Sequence, residues 1–292
     1  PDDPKNFTDA VQENTRLFFA ESLGNPKLDV LDLKGISREA KAAKVPFMVD
    51  STLATPALQN PIAHGVNIVI HSLTKYANGN GSTMGGVIVD AGNFDWSSGK
   101  FPEFTTPSDG YHGLVLHDVL GPAAYIAKVR IEGLRDLGAA ISPFNAFQII
   151  QGLETLEIRM KKHSENALAL AEWLEAHEDV AWVNYPGLKS STYNELAKKY
   201  LPEGQSGILA FGLKGGFDAG KTVADETKLF ALVANFGDSK SLVIHPASTT
   251  HQQLTPEEQA STGVTPDLIR LSVGLENVED LKADLQQAFD KV

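Results

Sequence analysis

Apolar residues recur along this chain in two alternating rhythms, helical spacing and short unbroken runs, and the alternation predicts the architecture of its first half. Helical spacing is found over 7–14, 36–43 and 56–63. Between and beyond these windows lie apolar runs at 15–20, 46–50, 67–71 and 85–89, which read as strands. Runs that are apolar throughout, with helices between them, predict a mainly parallel sheet with helices on both faces. Ligands of such sheets gather at the carboxyl ends of the strands. Over 92–121 the rhythm dissolves into Gly, Pro, Ser, Asp and aromatic residues, which is too long for an ordinary connection and predicts a functional loop or insertion. Helical spacing returns over 142–175 through Phe147, Ile150, Leu153, Leu156, Met160, Leu168, Ala171 and Leu174, predicting long helices that bridge two domains. Strands near 180–184, 208–213 and 269–273 and a last helix over 278–289 complete a smaller α+β unit. The expected division is into residues 1–150 and 151–292.

Composition narrows the chemistry. The 292 residues are 42% hydrophobic and 21% charged, enough to bury a real core. No apolar run reaches the roughly 18 residues that span a bilayer, and the opening residues lack the apolar stretch of a signal peptide, so a soluble, cytoplasmic protein without a membrane partner is expected. A formal charge of −12 with no basic patch argues against nucleic acid and for a small metabolite. There is no cysteine, so covalent catalysis would fall to Lys, Ser, Thr, Asp, Glu, His or Tyr. The eight histidines form no H-E-x-x-H, and His64 and His71 stand seven apart without a carboxylate at ligand spacing, so no metal is expected.

The informative stretch runs from Val49-Asp50-Ser51-Thr52 to Val69-Ile70-His71-Ser72-Leu73-Thr74-Lys75-Tyr76. Asp50 closes an apolar strand, a poor place for a carboxylate unless a cation satisfies it, and a protonated pyridine nitrogen is one such cation. Ser72 and Thr74, two apart at the end of the next strand, are expected to project their hydroxyls to one side, where they can bind a phosphate. Lys75 is then free to form a Schiff base. Taken singly, Asp50 also suits a helix cap and Lys75 an ordinary solvated charge. Together they place a carboxylate and an amine at the ends of neighbouring strands, on opposite sides of one pocket. The glycine turn Gly79-Asn80-Gly81-Ser82-Thr83-Met84-Gly85-Gly86 fits neither nucleotide fingerprint. Met84 stands where G-x-G-x-x-G needs glycine, the turn leads into a strand, and Gly-Lys-Ser/Thr is absent. A flexible connector passing close to Lys75 is the expectation.

Asp50-Ser51-Thr52, His71-Ser72-Leu73-Thr74-Lys75-Tyr76 and Asp238-Ser239-Lys240-Ser241-Leu242-Val243-Ile244-His245-Pro246-Ala247-Ser248-Thr249-Thr250-His251 resemble signatures of the Cys/Met-metabolism family of pyridoxal 5'-phosphate (PLP) enzymes, and the likeness runs the length of the chain. The resemblance implies the type I PLP fold, with the cofactor on residues 1–150, and PLP carried by Lys75. It implies Asp50 as partner of the pyridine nitrogen, Ser72 and Thr74 as phosphate contacts, Asn25 in Glu21-Ser22-Leu23-Gly24-Asn25-Pro26 against the ring hydroxyl, and Arg270 on the substrate carboxylate. Where many relatives have Ser-Leu-Gly, this chain has Asn235-Phe236-Gly237, so Asn235 is expected to replace a serine contact to that carboxylate.

The segments Gly92-Asn93-Phe94-Asp95-Trp96, Gly99-Lys100-Phe101-Pro102-Glu103-Phe104 and Tyr111-His112-Gly113 resemble the insertion of the O-acetylhomoserine sulfhydrylase branch. That implies γ-replacement: O-acetylhomoserine plus sulfide or a small thiol, giving homocysteine or methionine and acetate. Methionine γ-lyase, cystathionine γ-synthase and cystathionine lyase use the same core residues and remain alternatives, as does an inactive PLP-fold fragment or binding subunit. The resemblance further implies a homo-oligomer, a tetramer. It also implies that the family's N-terminal portion precedes this chain, so that residues 1–292 alone would be inactive and would associate, or keep company with a severed N-terminal piece.

Overall fold

The computed structural model describes residues 2–292. Its first sheet has the order β1-β2-β3-β4, from β1 (Phe18–Glu21), β2 (Phe47–Asp50), β3 (Ile68–Ser72) and β4 (Gly86–Asp90). β1, β2 and β3 run parallel, in the register Glu21↔Asp50 and Asp50↔Ile70. β4 is antiparallel to β3, so the sheet is parallel except at that edge. The helix Leu33–Ala43 buries Leu33, Ile36 and Ala40, spaced three and four apart as a single helical face requires, and joins Phe18, Phe47 and Val49 in the core.

The expectation that helices cover both faces does not hold at this edge. Val87, Ile88 and Val89 of β4 are exposed, as are Phe19 on β1 and Phe147, Ile150 and Leu153 on the helix Pro143–Glu154. Two of the expected helices also shrink. The first spans only Lys5–Asp9, after which Thr15 Oγ1 accepts the Gln12 N–H and turns the chain, while Phe7 packs on Phe18 with ring centroids 5.3 Å apart. The helix expected over 56–63 splits into the turns Thr55–Leu58 and Pro61–His64, because the residue before Pro61 is driven out of the helical region.

The second sheet has the order β5-β6-β9-β8-β7, with β5 (Val180–Asn184), β6 (Ile208–Leu213), β7 (Ala231–Leu232), β8 (Leu242–Ile244) and β9 (Leu268–Ser272). β6 is buried along its whole length. The helices Leu156–Glu175, Gly216–Glu226 and Val278–Phe289 supply Leu170, Leu174, Val223, Leu281, Leu285 and Phe289 to the same core as β6 and β9. Arg270 therefore lies on a central strand, paired with Ala210 on one side and Ile244 on the other, and not on the edge strand that its charge suggests.

Residues 92–121 fold around their own aromatic core. Trp96 stacks on Tyr125 at 5.1 Å and meets Phe101 edge-on at 5.2 Å, and Phe104, Leu116 and Ala124 close the cluster. This core docks on Met48 and Ile68, near the amino ends of β2 and β3, and Asn67 donates to Asn93 Oδ1 at 2.7 Å beside it. No helix among the described residues is long and apolar enough to cross a membrane.

Candidate active site

Because β1, β2 and β3 are parallel, their carboxyl ends lie side by side, at Glu21, Asp50 and Ser72. The Thr52 N–H donates to Asp50 Oδ1 at 2.8 Å, which leaves Oδ2 free of hydrogen bonds among the described residues. Beyond β3 the chain coils through Leu73–Ala77, interrupted at Lys75 (φ −93°, ψ −132°). Here one expectation needs correcting. Ser72 and Thr74 are not successive same-side positions of a strand, because the strand ends at Ser72 and Thr74 belongs to the turn. The Thr74 hydroxyl is engaged by Gly85, donating to its carbonyl at 3.3 Å and accepting its N–H at 3.2 Å. The Ser72 backbone N–H is held by Thr52 Oγ1 at 2.8 Å.

The Lys75 turn is clamped from beneath. Tyr76 is fully buried, and its carbonyl accepts from Arg159 Nη1 at 2.8 Å, while Arg159 Nη2 donates to the Gly152 carbonyl at 2.7 Å. From the C-terminal half, the Ser239 N–H and hydroxyl both donate to the Gly79 carbonyl, at 2.8 and 2.7 Å. Gly237 (φ +76°) approaches so closely that a Cβ there would stand 2.6 Å from the Tyr76 nitrogen, so only glycine admits this contact.

Above the turn the expected residues converge. Lys75 Nζ donates to Asn235 Oδ1. Arg270 Nη2 donates to the Asn235 carbonyl at 2.9 Å, and Nη1 to Asn25 Oδ1 at 3.2 Å. The Asn25 backbone N–H is in turn held by Glu21 Oε2 at 3.0 Å. Lys75, Asn235, Arg270 and Asn25, drawn from four distant stretches of sequence, thus form one connected group. Asp50 stands on the strand beside Glu21.

Burial, followed by the positive charge of Arg270, pushes the Lys75 amine below its ordinary pKa. Burial also brings Arg270 down to about 10, and its Nε is buried without a hydrogen-bond partner among the described residues. Glu21 is raised by burial, opposed by the Asn25 N–H and aided by Asp50. His71 is pushed down by burial while its Nδ1 stands 3.1 Å from the Ser51 carbonyl. A cavity of about 510 Å³ bordered by Lys41, Lys44, Asn67 and Asn93 lies at the other end of the first sheet, where the insertion docks, and has no part in this group.

The sequence pattern does not single out Glu21 or Arg159. Glu21 carries the same signal as Asp50, a carboxylate closing an apolar run. Arg159 sits in a row of charged helical residues and gives no sign that it is buried.

Comparison with known proteins identifies the family. Residues 1–290 match the model of the family described as Cys/Met metabolism PLP-dependent enzyme. An O-acetyl-L-homoserine sulfhydrylase of Leptospira meyeri is 52% identical over 299 residues, covering 99% of this chain and 68% of the relative. A homocysteine synthase of Schizosaccharomyces pombe is 50% identical over 292 residues, with the same coverage of 99% and 68%. A crystal structure from Campylobacter jejuni, of a protein described as an O-acetylhomoserine (thiol)-lyase, carries N'-pyridoxyl-lysine-5'-monophosphate. It superposes with a TM-score of 0.94 at 44% identity, covering 99% of this chain and 69% of that one. The chain belongs to the Cys/Met metabolism family of PLP-dependent enzymes.

Proposed function

We propose that this chain catalyses γ-replacement on O-acetylhomoserine, with sulfide or a small thiol as the incoming nucleophile and acetate as the leaving group. The observation that carries the reading is the approach of a partly desolvated lysine and a half-buried arginine to one asparagine at the carboxyl end of the sheet, neither cation having a carboxylate partner among the described residues. Two cations held in this way fit an anionic amino-acid substrate and a phosphorylated aldehyde cofactor. The names of the relatives support the choice of substrate. The insertion supports it less directly, because within this chain it docks near the amino ends of β2 and β3, away from Lys75.

The residues fit PLP. Lys75 supplies the amine that bonds the aldehyde. Asp50, with one oxygen free, is the proposed partner that keeps a proton on the pyridine nitrogen, and Asn25 lies where it can meet a ring hydroxyl. Ser72 is proposed for the phosphate, and so is Thr74, whose hydroxyl would first give up the Gly85 carbonyl. Bound there, PLP supplies an electron sink for the amino-acid carbons. The chain does the rest. Arg270 binds the substrate carboxylate through its planar fork, and Asn235 adds an amide to the same site. Lys75, when not bonded to the cofactor, takes the proton from the substrate Cα and moves protons at Cβ. Its depressed pKa keeps more of the amine in the basic form near neutral pH. Acetate leaves from the γ-carbon, and sulfide takes its place there.

The domain division expected at residue 150 falls inside the helix Pro143–Glu154, and we place it at Thr155, between that helix and the next. A cytoplasmic homo-oligomer, a tetramer by resemblance, is proposed for the assembly, supported by the open apolar surface of Phe19, Val87, Ile88 and Val89.

The test compares kcat/KM for O-acetylhomoserine with sulfide, for cystathionine cleavage and for elimination from methionine. Sulfide-dependent homocysteine formation should exceed the other two. Faster elimination from methionine would move the chain to the γ-lyase branch, and no turnover of any of the three would favour a binding protein.

A further inference from the structure

The roles proposed above leave Phe236 unused, yet its ring lies under two cations at once. Lys75 Nζ is 4.4 Å from the ring centroid and Arg270 Cζ is 5.8 Å from it. The ring is partly buried against the core of the first sheet and tilts against Tyr76 at 6.4 Å, so its position is fixed. The residue before it, Asn235, offers Oδ1 to Lys75 and its carbonyl to Arg270. Two consecutive residues therefore present an aromatic face and two neutral oxygens to a lysine and an arginine.

The charged groups around this point are Arg270 from β9, Arg159 from the helix Leu156–Glu175, Glu21 and Asp50 at the ends of β1 and β2, and Asp238 on the same segment. None of the carboxylates forms an ion pair with Lys75 or Arg270 among the described residues, and of all these groups only Arg270 acts on the Lys75 amine. The Tyr76 hydroxyl, pushed up to about 12 by burial, is neutral. A carboxylate in place of the ring would hold Lys75 as an ammonium ion and would compete with the substrate carboxylate for Arg270. The negative face of an aromatic ring attracts both cations without a formal charge. Arg270 stays open to an incoming anion, and Lys75 can still lose its proton.

We propose that Phe236 is a positioning residue whose ring face, together with Asn235 Oδ1, forms the rest site of the Lys75 amine whenever that amine is not bonded to the cofactor, and holds Arg270 beside it. The inference rests on the reading of Lys75 as the cofactor lysine.

The test replaces Phe236 by phenylalanines carrying one, two and three ring fluorines, which keep the shape of the ring while draining its negative face. In the full-length protein freed of cofactor, the midpoint of Lys75 acetylation against pH is read by mass spectrometry of the Lys75 peptide. The midpoint should fall stepwise with each fluorine, by about half a unit or more in total. Phe236→Leu should lie at the low end, and Phe236→Trp should match or exceed the wild type. A midpoint that stays flat across the fluorinated series would overturn the inference. If fluorinated chains fold poorly, the Leu and Trp variants carry the same comparison, and equal midpoints for those two would overturn it as well. Mapping the cofactor to its lysine in the wild-type protein separates the two readings. Cofactor on Lys75 with a flat series removes only the role of Phe236, whereas cofactor on another lysine removes the reading of Lys75 on which it rests.

Discussion

His163 should make the protein acid-sensitive in a window that the structure defines. It is fully buried on the helix Leu156–Glu175, and its Nδ1 is 2.7 Å from the Val273 carbonyl. That carbonyl accepts only, so Nδ1 carries the proton and Nε2 is bare, buried without a partner among the described residues; the imidazole meets the Tyr76 ring edge-on, with centroids 5.0 Å apart. Protonating Nε2 would put an N–H and a charge where nothing receives them. Burial, aided by Arg159 and opposed by the Val273 bond and Asp238, brings the imidazole from 6.5 to about 4.

The sign follows from linkage. The folded pKa is depressed, so the unfolded chain binds the extra proton first, and the stability tied to neutral His163 is full above pH 6.5 and is lost as pH falls toward 4. At about 1.4 kcal/mol per pKa unit the whole loss is about 3 kcal/mol, of which about 2 kcal/mol is gone by pH 5. His163→Asn places an amide N–H where Nδ1 stands, so it keeps a donor for Val273, and it cannot titrate. Urea midpoints followed by tryptophan fluorescence at pH 7 and pH 5 should show the variant less stable at pH 7, with the gap closing by about 2 kcal/mol at pH 5. The background of carboxylate titration cancels in that comparison. A gap that stays constant to within about 0.5 kcal/mol would refute the argument.

Three further outcomes are expected. Asp50→Asn should retain bound PLP while turnover falls at least about tenfold, or 1.4 kcal/mol in the barrier, with the pH–rate profile displaced; an unchanged rate and profile would remove Asp50 from the site. Gly237→Ala combines a positive φ with a Cβ 2.6 Å from the Tyr76 nitrogen, so it should shift the Lys75 turn and lower kcat/KM at least about tenfold, and wild-type kinetics would show that the turn yields without cost. Trp96→Ala should cost about 3–5 kcal/mol and loosen residues 92–121 to proteolysis, with PLP retention on Lys75 preserved, because that cluster docks near the opposite strand ends.

Where local pattern decides structure, the sequence was enough. β2, β5, β6 and the last helix follow directly from apolar runs or helical spacing, and such runs also draw attention to Asp50, at the end of one, and Lys75, in the turn after the next. What escaped was decided by neighbours far along the chain. Arg270 looks like an edge residue until β8 and β6 are seen to flank its strand. Arg159 looks solvated until the Tyr76 and Gly152 carbonyls are found around it. The strand at 85–89 looks like buried core because its residues are apolar, yet it forms an open edge. The pairing of Lys75 with Asn235 spans 160 residues and has no local signature. The resemblance points to Asn235 as a contact for substrate, and the structure adds that its Oδ1 accepts from Lys75 and its carbonyl from Arg270.

The central claim is that Lys75 bonds the cofactor, and one measurement addresses it directly. The PLP-loaded full-length protein is reduced with borohydride and digested, and its peptides are sequenced by mass spectrometry. The account predicts a single pyridoxyl-phosphate adduct on the peptide that contains Ser72-Leu73-Thr74-Lys75-Tyr76. An adduct on any other lysine, or a cofactor that washes away unreduced with Lys75 unmodified, would contradict it.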